Sequence, residues 1–195
     1  MSFLTPIPDE LEQAVSLPEL KVQKRYTVSG GKLVCNYLVR TKDGEVLFWG
    51  LQTLNPFYTL KIHILDERKA ILGEISYVAS AIRCFSFQKV VKVHAPLGNL
   101  IGYLCLEKSL CKKRIKIYDE EDELLYVVNL GCCYSDIGQY KYKIFNGDDK
   151  GGGFIACKGE TKTFTFSFPE GASSRDKLLI IFSSFYIVTV MTGHY

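Results

Sequence analysis

Very little in this sequence points to an ion, a nucleotide or a covalent step. Its seven cysteines (Cys35, Cys84, Cys105, Cys111, Cys132, Cys133 and Cys157) form an odd set with no regular spacing and no CxxC pair beside a His pair. That pattern argues against a structural zinc and against a disulfide framework. Walker and dinucleotide glycine spacings are missing as well. The glycine-rich stretch from Asn146 to Gly153 reads as a flexible hairpin loop, because no helix pattern follows it. No Ser or Cys with a nearby acid makes a persuasive triad, so the expectation is a protein that is not an enzyme. Neither sign of charge is in excess. With 24 basic against 21 acidic residues, net +3, the chain is too balanced to expect a nucleic-acid partner. The start Met1-Ser2-Phe3 lacks a signal-peptide core, there is no N-glycosylation sequon, Ser2 stands where myristoylation needs glycine, and Thr192-Gly193-His194-Tyr195 is no prenylation box. These absences together predict reduced thiols in a protein that faces the cytosol.

Long apolar runs are also scarce, and there is one conspicuous exception. Leu178 to Met191 is apolar on nearly all faces, interrupted only by Ser183, Ser184 and Thr189 and by the Tyr186 hydroxyl. Such a segment must be buried, either in a bilayer or in the protein's own core. It falls short of the roughly 20 residues that a spanning helix needs, which favours the core. Its β-branched residues (Ile180, Ile181, Ile187, Val188, Val190) would also suit a central strand, so periodicity alone leaves helix and strand open. Removing this run is expected to unfold the protein.

What fills the rest of the 195 residues, 47% of them hydrophobic, is a repeated hairpin. A chain of this size predicts one domain with one core. Residues 1–24 hold three of the six prolines and read as a short tether, with one helical turn near Pro8 to Ala14. From Arg25 the period becomes two. Leu33 to Val39 leads through Thr41-Lys42-Asp43-Gly44 into Glu45 to Trp49, and an Asp-Gly turn between alternating flanks is a strong hairpin signal. The layout returns at Thr59 to Ile75, Val90 to Leu104, Arg114 to Val128 and Tyr140 to Cys157, and a last alternating stretch, Thr161 to Phe168, stops at Pro169. Consecutive hairpins in such number must hide their edges, and closure into a barrel does so best. A barrel that wide has room inside, and the apolar run is the one segment available to fill it. The expected fold is therefore mainly β: a closed antiparallel barrel of about 12 strands over residues 25–195, wrapped around a hydrophobic C-terminal helix at 176–191.

The stretch Ala95-Pro96-x-Gly98-x-x-Ile101-Gly102-Tyr103, preceded by an alternating strand, resembles a segment of the phospholipid scramblases, whose domain is similar to the tubby-like barrel with a central helix. Pro56-Phe57 before Thr59-Leu60-Lys61-Ile62, Gly131-Cys132-Cys133 ahead of Tyr140 to Ile144, and Phe166-x-Phe168-Pro169 leading to Lys177 extend the likeness over Tyr26 to Met191. The resemblance implies bidirectional, ATP-independent movement of phospholipids between leaflets, with calcium as regulator and palmitoylation as anchor, at the cytosolic face of the plasma membrane. Several features depart from that family. The long proline-rich arm is reduced to a short one, the acylated cysteine cluster is reduced to Cys84, and the acidic calcium segment before the final helix is reduced to Glu160. One acyl chain gives only marginal binding, and calcium takes six to eight oxygen ligands.

Candidate sites follow with their plainer alternatives. Lys112, Lys113, Arg114 and Lys116, with Lys108, form the strongest basic patch, fitted to anionic headgroups or to a solvated strand face. Asp119 to Glu123 is the densest acid cluster and reads as a solvated hairpin tip rather than a calcium loop, since no glycine folds it round an ion. Cys132-Cys133 puts one thiol on each strand face, making Cys132 an acylation candidate beside Cys84. His63 and His94 occupy equivalent repeat positions, which suits a structural role. Two functions stay in play: a scramblase-like protein, and a non-transporting tubby-like module that binds headgroups or partner proteins.

Overall fold

Two-residue alternation builds almost the whole molecule. The computed structural model describes residues 9–29, 32–54, 60–78, 90–108, 113–130, 139–146, 151–158 and 163–192. A short helix α1 (Asp9–Ser16) precedes strands β1 (Glu19–Ser29), β2 (Lys32–Arg40), β3 (Val46–Leu54), β4 (Leu60–Leu65), β5 (Ile71–Val78) and β6 (Val90–His94). After a single 3-10 turn at Pro96–Gly98 come β7 (Leu100–Lys108), β8 (Lys113–Tyr118), β9 (Leu124–Asn129), β10 (Gln139–Asn146), β11 (Gly151–Lys158), β12 (Thr163–Ser167) and the final helix α2 (Ser174–Met191). Each strand pairs antiparallel with its sequence neighbour, and β1 pairs with β12, as in Leu20 opposite Phe166, to close the barrel. The mainly-β closed barrel expected from the hairpin repeats is therefore the fold.

The apolar run is α2, and it fills the barrel. Every residue from Leu178 to Met191 is buried, serines and Thr189 included. Around it stand the inward rows of the strands, such as Val91 and Val93, Ile115 and Ile117, and Phe164 and Phe166. Three wall glycines let the helix approach. A Cβ on Gly50 or Gly73 would lie 2.5 Å from the ring of Phe185 or Phe182, and one on Gly102 would lie 2.9 Å from the Leu179 methyls. Phe185, Phe182 and Leu179 recur at helical spacing, so one stripe of α2 rests on glycines from β3, β5 and β7 in turn. α2 begins one turn earlier than its apolar run because Ser173 caps it. The Ser173 hydroxyl accepts from the Asp176 N–H, and the Asp176 carboxylate accepts from the Ser173 N–H. Among the described residues no helix is long and apolar enough to cross a membrane.

The N-terminal boundary differs from the expectation of a tether ending at residue 24. From Asp9 onward the chain belongs to the domain: α1 buries Leu11, Ala14 and Val15, and β1 starts at Glu19. Leu20 and Val22 already follow the inward alternation, but the next inward position is Lys24. A charge where the period calls for an apolar side chain masked the strand's first half.

Candidate functional site: the two ends of the barrel

The strand directions sort the hairpin turns into two sets, one around each end of α2. Around its N-terminus lie the β2–β3 turn with Asp43 and Glu45, the β4–β5 turn with Asp66 and Glu67, and the β8–β9 turn with Asp119 to Glu123. This end is largely self-satisfied. The Asp119 carboxylate accepts from the Glu121 and Glu123 N–H groups at 2.9 and 2.8 Å, and Glu120 pairs with Arg175 on α2. Lys177 donates to the Val15 carbonyl at 3.0 Å and so caps the C-terminus of α1. A cavity of about 230 Å³ sits between this turn and α2, lined by Ile101, Glu120, Leu125, Arg175 and Leu179 among others. One Asp119 oxygen is engaged by backbone and one Glu120 oxygen by Arg175, while the other Glu120 oxygen is buried with no hydrogen-bond partner, and among the described residues no group of three or more His, Cys, Asp or Glu could hold a metal ion. Glu160 lies outside the described residues.

At the opposite end, α2's carbonyls are met by cations from the wall. Lys113 donates to the Val190 carbonyl at 3.1 Å, and Lys24, only 4% exposed, donates to the Thr192 hydroxyl at 3.0 Å. In the ring of twelve strands β1 and β8 stand nearly opposite one another, so the two amines converge on the helix end from opposite walls. The negative end of the helix dipole favours both. Lys24 also lies 5.4 and 5.7 Å from the ring centroids of Tyr26 and Tyr37, whose faces further offset its lost hydration. Just inside, the Tyr37 hydroxyl donates to Gln52 at 2.8 Å and meets the Thr189 hydroxyl, which itself donates to the Phe185 carbonyl at 2.8 Å.

The electrostatics of this end follow from burial. Burial, with Lys108 nearby, lowers the Lys113 pKa. Burial raises the Cys35 thiol, partly offset by Lys24, so the group stays neutral. Tyr26 is pushed up to about 12 by burial and by Cys35. Lys24 and Lys113 together bring positive charge to this end.

The basic patch read from the sequence is divided by strand alternation. Lys113 falls on the inward row with Ile115 and Ile117, while Arg114 and Lys116 face outward. Lys116 is engaged with Glu107 at 2.7 Å, and Arg114 stands opposite Glu107 in register. Lys112, Cys84 and Cys132 lie outside the described residues. Cys35, Cys105 and Cys157 are buried. His63 faces Glu74 at 3.5 Å, and Lys61 reaches the same carboxylate at 2.9 Å. On the next strand His94 is opposite Glu74 in register, its pKa lowered by burial and by Lys92 against the pull of that carboxylate. These are outer-wall contacts of half-buried side chains. Sequence reasoning missed Lys24 and the Tyr37–Gln52–Thr189 network; continuing the alternation back from Tyr26 would have placed Lys24 on the inner row. It also missed Lys141 and Lys143, exposed on the outer face of β10, with Lys141 3.8 Å above the Phe154 ring. No protein-family model matches the chain, and no curated protein matches it in sequence.

Proposed function

We propose that the protein is a non-transporting, tubby-like binding module that docks on anionic phospholipid headgroups at the cytosolic face of a membrane. The observation that carries this reading is the enclosure of α2. Its whole apolar run is sheathed by strands, so the longest apolar run in the sequence is already satisfied by protein. The outer wall does not suit hydrocarbon either. Lys61, Glu74, Lys92, Lys116 and Lys141 stand on outward rows of five strands, and charges facing lipid are costly. Leaflet-to-leaflet movement of phospholipid, which the family resemblance implies, would need a polar track across an apolar layer. Inside the barrel the Tyr37, Ser184 and Thr189 hydroxyls are bound to one another or to helix carbonyls, as in Ser184 to Ile181 at 2.6 Å, and the buried Ser183 hydroxyl, which has no hydrogen-bond partner, is too isolated to make such a track. Cations on the described surface that an anionic headgroup layer would attract include Arg25, Lys108, Arg114, Lys141 and Lys143, and a cation near such a surface contributes about 1 kcal/mol.

The test is a pair of measurements on purified protein. Co-sedimentation with phosphatidylserine vesicles should be strong at low salt and fall as salt rises. Liposomes carrying the protein and a headgroup-labelled phospholipid should show translocation no faster than empty liposomes, with calcium or with chelator. Translocation above that background would overturn the proposal.

A further inference from the structure

The docking end of the barrel can be named, given the headgroup-binding reading on which this step rests. Among the described residues β1 is paired with β2 as far as Ser29 opposite Lys32, at the end where α2 terminates. The burial of alternate residues shows how far the core reaches along this hairpin. Leu20, Val22, Lys24, Tyr26 and Val28 share the inward row, yet their exposure runs 1%, 1%, 4%, 36% and 75%. The inner face of the hairpin leaves the core at Tyr26 and stands in solvent at Val28. Exposed Arg25 lies between the exposed pair and the buried Lys24. Across the same end stand exposed Lys108 and half-buried Lys113.

We infer that this end meets the anionic lipid surface, with Val28 and Tyr26 entering the headgroup layer and Arg25, Lys108 and Lys113 flanking them. The charge pattern selects this occupant. Around the C-terminus of α2 the described charges include Lys24, Arg25, Lys61, Lys108, Lys113 and Arg114, with the acid Glu107 on the outer wall beside them. The turns named above at the opposite end carry nine acids, Asp43, Glu45, Asp66, Glu67 and Asp119 to Glu123, against three cations, Lys42, Arg68 and Lys69. An anionic surface attracts the first end and repels the acids of the second, so attraction and apolar insertion act in one orientation. Tyr26 suits such a boundary, with its ring toward the apolar side and its hydroxyl at the wet side.

A matched control exists on the protein itself. Ile71, 58% exposed, stands at the start of β5 beside the Asp66-Glu67 turn, on the opposite end. Phosphatidylserine vesicles are titrated with wild type, Val28→Asp and Ile71→Asp, all at low salt. Both positions are solvent-facing, so both variants should fold, with unchanged circular dichroism. The expected result is a roughly tenfold weaker partition for Val28→Asp, from lost insertion and an added like charge, and no change for Ile71→Asp. As a second readout, brominated lipid should quench the added fluorescence of Val28→Trp and spare that of Ile71→Trp. If wild type binds but Val28→Asp binds equally well, or Ile71→Trp is the one quenched, the orientation is overturned while the headgroup-binding reading stands. If wild type does not bind these vesicles at all, that reading falls, and this inference with it.

Discussion

The two ends of α2 are held by opposite means. At its N-terminus the helix carries its own solution: Ser173 and Asp176 form a capping box within one turn of sequence, and Arg175 reaches across to Glu120. At its C-terminus nothing basic lies in the last turn, and the cations come from strands far away in sequence, Lys24 and Lys113. A local cap closes one end of the helix with its own residues. Remote caps make the other end part of it, so the charge that steadies the helix also gives the rim its sign.

The strongest way to break this comparison is to cut the tie that both ends share. Phe185 is fully buried, edge-on to Tyr37 at 5.4 Å and against Gly50. Phe185→Ala should cost about 3–5 kcal/mol, seen as a lower midpoint in urea unfolding with both ends loosened together. Overfilling the same contact should come next. Gly50→Val should cost about 1–3 kcal/mol, and combining it with Phe185→Leu should recover part of that loss in a double-mutant cycle.

Alkaline pH separates the ends by titration. Burial holds Tyr37 far above the ordinary tyrosine value at the C-terminal end, and burial with Asp176 pushes Tyr126 up to about 12 at the other. Both groups keep their protons folded while the unfolded chain releases them from its ordinary value of 10.0 upward. Their contribution is thus fully present below that value and is lost as pH rises through the folded pKa. Lys113, with a lowered pKa, acts in the opposite sense, since its unfolded form keeps the proton longer, but it is one group against these two tyrosines and Tyr26. Urea midpoints should therefore fall between about pH 10 and 12, less steeply for Tyr126→Phe than for wild type. Smaller still is the cap: Ser173→Ala should cost about 1 kcal/mol and leave vesicle binding unchanged. Least of all is the Glu120–Arg175 pair, with side chains 31% and 53% exposed. Glu120→Gln should shift stability by at most about 1 kcal/mol, with the shift shrinking in high salt.

What could be read from the sequence was whatever obeyed a period. Hairpins with Asp-Gly or acidic turns, and an apolar run too short for a bilayer, led to a closed barrel around a helix. Residues that break the period hid their roles. Lys24 stands on an inward row and made β1 look like a linker. Gly50, Gly73 and Gly102 look like weak points in strands until the rings and methyls of α2 are laid against them. The basic patch failed as a unit for the same reason in reverse. Contiguity in sequence grouped Lys113 with Arg114 and Lys116, whereas a strand sends neighbours to opposite faces. Val28 gave no signal, because alternation places it on the inward row of β1 and its 75% exposure depends on packing against segments remote in the chain.

Hydrogen exchange in detergent-free buffer, with and without phosphatidylserine vesicles, tests the central claim most directly. The account predicts that amides from Leu178 to Met191 are strongly protected in both conditions, and that vesicles add protection at the β1–β2 hairpin but not at the β4–β5 or β8–β9 turns. Loss of protection in α2 on adding vesicles would mean that the helix leaves its barrel for lipid, and the account would be wrong.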